Sequence, residues 1–241
     1  MSVAVVLVEP AGPLNVGSVA RLCANFEISD LRLVAPRCDH LGEEARRMAV
    51  HAETLLEHAQ LFPDLPSALA DCRRVVATSG RTEEECLPLS SAQECLGWLA
   101  ATPPEHQSAL VFGREDRGLS NQELLQAGRL LRLSTSASYA SLNLSHAVGI
   151  CLHELQQSRD RAAARPAEEG HEPCVRGNLE AALSDAEDLL LEVGFLYPHT
   201  AEARMGKLRA LLQRGHVRDE EVALLRGIVR QLRWAAQRHC P

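Results

Sequence analysis

The sequence predicts an α/β protein built on a parallel sheet, followed by a small all-helical extension. Val3 to Val8 is an unbroken apolar run, the pattern of a strand buried on both faces, as strands of parallel sheets are. Three later strand-like segments, 73–78, 109–112 and 130–133, each end in a loop of small or charged residues. Such loops at strand ends are where open α/β sheets hold ligands. Beyond about residue 175 only helical periodicity remains.

In chain order, the first strand leads through Glu9-Pro-Ala-Gly-Pro-Leu to a helix for which Asn15 is the expected N-cap. Gly12-x4-Gly17-Ser18 has the outline of a P-loop but lacks the Lys after its second glycine, which excludes nucleoside triphosphate binding there. Leu31 to Val34 is a second strand, Leu41 to Leu56 a helix, and Pro66 to Asp71 a short helix. Arg73 to Thr78 is a strand ending in Thr78-Ser79-Gly80-Arg81, and Thr82 to Pro88 is an acidic loop. Ser91 to Ala101 is a helix stopped by Pro103-Pro104. The strand Ala109 to Phe112 ends in Gly113-Arg-Glu-Asp-Arg-Gly118, after which Ser120 or Asn121 caps a helix. Two glycines around four charges read as a positioned site, or as a plain solvated turn.

Leu130 to Leu133 runs into small polar residues from Ser134, with Tyr139 the only large side chain before a helix spanning about Ser141 to Gln156. An ordinary βα turn is the bland reading of this stretch. In the helix, Leu144, Val148, Cys151, Leu152 and Leu155 form one apolar face, while His146 and His153 fall off it and find no third ligand, so no metal site is expected. The loops beginning at Thr78, Gly113 and Ser134 follow three buried strands, and parallel strands place all three at one sheet edge. Ser158 to Pro173 reads as a linker. Three tail stripes follow: 179/182/183/186/189/190/193, 205/208/211/212 and 225/228/229/232. These helices are short for a core of their own and are expected to dock on the first domain or on a second copy.

At 241 residues, with 46% hydrophobic and 3% aromatic side chains, the core must be aliphatic. No apolar run reaches the roughly 18 residues of a membrane span, and the first residues read as a strand, not a signal peptide. Eight cysteines without C-x-x-C or metal spacing fit buried thiols in a reduced, cytoplasmic protein. The net charge of −7 is uneven: residues 201–241 hold nine Lys/Arg against four acids, so this tail is +5 and the rest −12. That asymmetry points to a polyanionic partner. A single Lys in the chain makes nearly every cation an Arg, whose fork suits phosphate, although genome composition explains the bias equally well.

Three motifs carry a resemblance. Asn15-Val-Gly-Ser-Val-Ala-Arg21, Phe112-Gly-Arg-Glu115-x-x-Gly118-Leu-Ser-Asn121 and Ser141-Leu-Asn143-Leu-Ser-x-Ala-Val148 are similar, in order and spacing, to the motifs of the SpoU/TrmH group of SPOUT RNA 2'-O-ribose methyltransferases. The tail, with Gly194-Phe-Leu, Met205-Gly-Lys-Leu-Arg and Leu225-Arg-Gly-Ile228, resembles the extension of TrmJ-type tRNA methyltransferases. The resemblance implies an α/β knot domain over 1–158, a linker over 159–175 and a helical extension over 176–241. It implies a homodimer and S-adenosylmethionine (SAM) held by Thr78, Ser79, Gly80, Gly113, Leu133, Ala140, Ser141 and Leu142. It also implies methyl transfer to nucleotide 32 of tRNA, with Arg21 catalytic and Asn15, Glu115, Ser141 and Asn143 orienting it, the ribose or SAM. Guanidinium does not deprotonate near neutral pH, so Arg21 is expected to act as a cation beside the forming alkoxide. Arg114, Arg204, Lys207, Arg209 and Arg226 are the expected RNA contacts. Three alternatives stay open: methylation of another tRNA or rRNA position, a non-catalytic RNA-binding dimer, and a protein whose loops hold some other small ligand.

Overall fold

The computed structural model describes residues 2–80, 87–136, 138–139, 141–163 and 172–239. Most of the acidic loop and residues 164–171 of the expected linker lie outside these, as does Ala140. Among the described residues, seven strands form one sheet: β1 (Ser2–Val8), β2 (Asp30–Val34), β3 (Gln60–Phe62), β4 (Cys72–Thr78), β5 (Leu89–Ser90), β6 (Gln107–Phe112) and β7 (Arg129–Leu131). Their spatial order is β3-β2-β1-β6-β4-β7-β5, and every pairing is parallel. The three strands expected to carry the site, β6, β4 and β7, are neighbours, so their loops leave the same edge side by side. β3 and β5 were not legible, because runs of three and two residues are too short to show alternation.

β1 is covered on both faces. Val3, Val5 and Leu7 enter one apolar cluster and Ala4, Val6 and Val8 the other. The first cluster is closed by α1 (Pro13–Asn25), α2 (Glu43–Ala49), α3 (Glu53–Glu57), α5 (Ala92–Ala100) and α7 (Leu144–Ala163). The second is closed by α4 (Leu65–Ala68) and α6 (Asn121–Leu124). The predicted α7 stripe is buried at all five positions. Four thiols sit in these cores: burial pushes Cys23 and Cys151 up to about 12 and Cys95 up to about 11, and raises Cys72 as well.

Several boundaries differ from the sequence reading. Asn15 does not cap α1. Pro13 occupies the first turn, its fixed φ suited to helix entry, and Gly12 is the N-cap residue. The segment 41–56 breaks into α2 and α3, because Val50 takes a φ of 58°. α7 begins at Leu144 and runs to Ala163, into the expected linker. Of the two candidate caps it is Ser120 that acts, in a capping box with Glu123, on a helix of only four residues.

The tail comprises α8 (Arg176–Glu192), α9 (Pro198–Arg214) and α10 (Asp219–His239), with its own small cluster around Leu179, Leu183, Leu196, Met205 and Val222. It docks on the first domain, through polar contacts. Arg73 Nη1 donates to Asp219 Oδ2 at 2.6 Å, Gly177 N to Ala70 O at 3.0 Å and Gln213 Nε2 to Leu125 O at 3.3 Å. Arg176 is buried in the seam, where it pairs with Gln213, and burial pushes its pKa down to about 10. The third expected stripe is split: Leu225 and Val229 are half-buried, but Ile228 is 48% and Leu232 55% exposed. α10 turns another row inward, with Arg226 and Arg233 reaching Asp185 on α8.

Gly17 is where α1 meets α2. A Cβ there would stand 2.1 Å from Ala45 O and 2.9 Å from Met48 Cβ. Gly→Ala inside an exposed helix gains about 1 kcal/mol, but backbone contact reverses the sign. Gly17→Ala is expected to lower stability by about 1–3 kcal/mol, read as a lower denaturant midpoint at unchanged slope.

Candidate active site

The loops after β4, β6 and β7 enclose one cleft of about 400 Å³. Thr78, Ser79 and Gly80 line it from the first loop, Gly113 and Glu115 from the second, and Leu133, Ser141 and Leu142 from the third. Every described residue expected to hold a cofactor is therefore brought to one place. The floor is apolar, from Phe112, Leu131 and Leu144, and the rim is made of small polar residues and the charged turn 114–117. Thr135, Asp116 and Arg117 also line it. None of these three was singled out from sequence, because each sits in a run of similar residues.

Two glycines shape the second loop. Arg114 and Gly118 exchange backbone hydrogen bonds at 3.3 and 3.0 Å, closing a tight turn in which Gly118 takes a φ of 67°. A Cβ on Gly113 would lie 2.3 Å from the Gly118 carbonyl carbon, so the turn folds back directly over it. Arg114 is held within this turn: its fork meets Glu123 at 2.9 Å through both terminal nitrogens and also reaches Glu9. With 11% of its side chain exposed, its guanidinium faces carboxylates rather than open solvent.

The turn aims Glu115 at the start of α1. Its carboxylate accepts from Ala11 N, Gly12 N and Asn15 Nδ2, each at 3.1 Å. Burial works against ionisation, but these donors outweigh it and hold the carboxyl below its usual range. A carboxylate at a helix N-terminus also complements the helix dipole. The charge sets the direction of a longer chain. An ionised Glu115 only accepts, so Asn15 must turn its NH₂ toward it and its oxygen away. That oxygen accepts from Asn143 Nδ2 at 2.9 Å, which leaves Asn143 Oδ1 to accept from Ser145 N at 2.9 Å in the first turn of α7. One residue from each of the three motifs is thus tied into a single network.

Arg21 does not line the cleft. It is exposed on α1, six residues beyond Asn15. On the tail, Lys207 and Arg204 are exposed, Arg204 lying over the Phe195 ring at 5.6 Å. Arg209 pairs with Glu180, and Arg226 with Asp185 at 3.4 Å. No group of three or more metal-ligating side chains occurs among the described residues.

Residues 2–153 match the SpoU rRNA Methylase family, and residues 178–240 match the C-terminal domain of the tRNA methyltransferase TrmJ. The chain is 35% identical over 231 residues to the tRNA (cytidine/uridine-2'-O-)-methyltransferase TrmJ of Pectobacterium atrosepticum, covering 95% of each. It is 32% identical over 247 residues to the tRNA (cytidine/uridine/adenosine-2'-O-)-methyltransferase TrmJ of Pseudomonas aeruginosa, covering 97% of this chain and 94% of that one. The crystal structure of TrmJ from Z. mobilis ZM4 superposes with a TM-score of 0.85 at 28% identity, covering 97% of this chain and all of that one.

Glu9, Glu115 and Glu123 all have lowered pKa values in the folded state. Their stabilisation is therefore fully present above the ordinary glutamate value of about 4.3 and is lost as pH falls through the lower folded values. Urea midpoints are expected to fall below about pH 4. Glu123→Gln should be less stable at neutral pH and show a shallower acid dependence; a slope equal to that of wild type would refute the assignment.

Proposed function

The chain belongs to the SpoU rRNA methylase family and, over nearly its whole length, to its TrmJ group, and on that premise we propose that it moves a methyl group from SAM to a ribose 2'-hydroxyl of tRNA. The narrow form of the proposal is nucleotide 32 of the anticodon loop, with cytidine or uridine accepted. The observation that carries it is the convergence of three loops on one cleft, with Glu115, Asn15 and Asn143 linked at its side.

The cleft fits the cofactor. Its volume lies in the range of small-molecule sites, and an apolar floor under a polar rim suits a nucleoside with charged ends. Among the described residues, a Cβ on Gly80 would meet nothing within 4 Å. SAM supplies an activated methyl group on a sulfonium leaving group. Thr78, Ser79, Gly80, Gly113, Leu133, Ala140, Ser141 and Leu142 would bind and align it. Alignment of this kind can supply roughly 7–11 kcal/mol of a barrier.

The 2'-oxygen gives up its proton to solvent water as its bond to the methyl carbon forms and the methyl–sulfur bond breaks, leaving a neutral thioether. Arg21 stays a cation and stabilises the developing negative charge. It shares one stripe of α1 with Leu14, which is 48% exposed, and Ile150 on the adjacent α7 is 43% exposed. A homodimer packed on this face would cover both apolar side chains and desolvate Arg21, strengthening its field. By the same family likeness we read the C-terminal part of the 1–158 domain as a trefoil knot that holds SAM, and the protein as cytoplasmic. Among the proposed RNA cations, Lys207 and Arg204 make the first phosphate contacts, because Arg114, Arg209 and Arg226 already face carboxylates.

The test is transfer of labelled methyl from SAM to unmodified bulk tRNA, followed by digestion. Label at nucleotide 32 is the expected result. Label elsewhere overturns the position but keeps the reaction, and SAM binding without transfer to any RNA overturns the enzyme reading. Arg21→Ala should keep SAM affinity and lose about 10²–10³-fold in turnover, the usual effect of removing one preorganised donor. Lys207→Ala should weaken tRNA binding and reduce its salt slope by about one unit.

A further inference from the structure

We propose that α10 pairs antiparallel with α10 of a second copy, through an apolar stripe that this chain leaves uncovered. Leu224, Ile228 and Leu232 recur at i, i+4 and i+8 and are 66%, 48% and 55% exposed. The row facing α8 is less apolar than this outer row. It reads Val222, Arg226, Val229, Arg233, and both arginines are engaged with Asp185. A surface helix normally buries its more apolar face. α10 presents the reverse arrangement unless something covers its outer side.

The flanking charges identify the cover. Glu220 and Arg238 are eighteen residues apart, which is five turns of 3.6, so they lie on one edge of the stripe at opposite ends of the helix. Both are exposed. Arg238 also lies over the Trp234 ring at 4.0 Å, one turn back on the side away from the stripe, so its guanidinium would leave that ring to meet the partner. When two copies of one helix pack antiparallel, the same edge of each faces the other, and N-terminal positions meet C-terminal ones. Glu220 of each copy then faces Arg238 of the other, twice, about an axis near the helix midpoint. Leu224 and Ile228 cross toward the C-terminal half of the second helix. A surface complementary to itself under a two-fold axis is what an isologous contact requires. The exposed arginine Arg230 lies off this stripe, so RNA and a second copy would use different sides of α10.

One helix pair covers less than the roughly 1,200 Å² of a standard stable interface. The contact therefore rests on the homodimer proposed above and tightens it, rather than forming it alone. The test is the dimer dissociation constant of the full chain by sedimentation. Ile228→Glu should raise it at least tenfold, with helicity and SAM affinity unchanged. Glu220→Arg should raise it severalfold, and adding Arg238→Glu in the same chain should restore it. That rescue is the signature of the antiparallel register, because a purely local effect on α10 would not be repaired by a charge five turns away. Wild type that stays monomeric at every concentration overturns the homodimer and this contact together. Wild type that dimerises with a constant unchanged by Ile228→Glu overturns the α10 contact alone. The contact is likewise overturned if Ile228→Glu lowers RNA affinity and leaves dimerisation untouched, since the stripe would then serve RNA.

Discussion

The structure depends on one carboxylate. Glu115 reaches from the β6 loop to the first turn of α1, and its charge decides which way Asn15 and then Asn143 point their amides. Segments about a hundred residues apart in sequence are held in register by a chain of side chains, each with a single permitted orientation. An apolar core could bring the same segments together, but it would not set the direction of donors and acceptors around a cleft. That is the reason a charged residue stands at this junction despite the cost of partly burying it.

The tail is joined to the sheet domain by a different physics. Its seam is built from guanidinium groups: Arg73 and Arg74 in β4, and Arg176 at the start of α8. Arg74 lies against Trp98, with its ring 5.3 Å away, and also reaches Glu172. Removing one partner from such a set leaves a buried charge uncompensated, which is costly. The orientation of the tail is thereby specified more sharply than a greasy contact of the same size would achieve. It also leaves the outer faces of α9 and α10 free to meet other molecules.

Much of this was legible from residue order. Val3 to Val8 announced a central strand because both its faces are buried, and the α7 stripe was complete because a 3.6-residue period leaves little ambiguity over the twelve residues from Leu144 to Leu155. The convergence of the three loops followed from assuming parallel strands, and the sheet order makes their parent strands neighbours. What was not legible depends on distant partners. Asn15 looks like a cap because of its residue type, but Glu115 and Asn143 claim its side chain from across the sheet. Arg114 looks like an exposed cation, but Glu9 and Glu123 enclose it. On α10 the periodicity gathered Leu225, Ile228, Val229 and Leu232 into one face, whereas Ile228 and Leu232 are exposed together with Leu224, and Leu225 and Val229 are half-buried. The period could not say which of them face inward, because that depends on the packing of α8.

The buried thiols make the molecule its own reporter of opening. Only the thiolate reacts readily with alkylating or oxidising reagents. Burial raises Cys23 and Cys151 far above their ordinary acidity, so very little of either is ionised at neutral pH. Reaction must then wait for the surrounding core to open and the thiol to regain its ordinary acidity. Cys23, Cys95 and Cys151 lie on one face of the sheet and Cys72 on the other, so the order in which they are labelled records which layer loosens first.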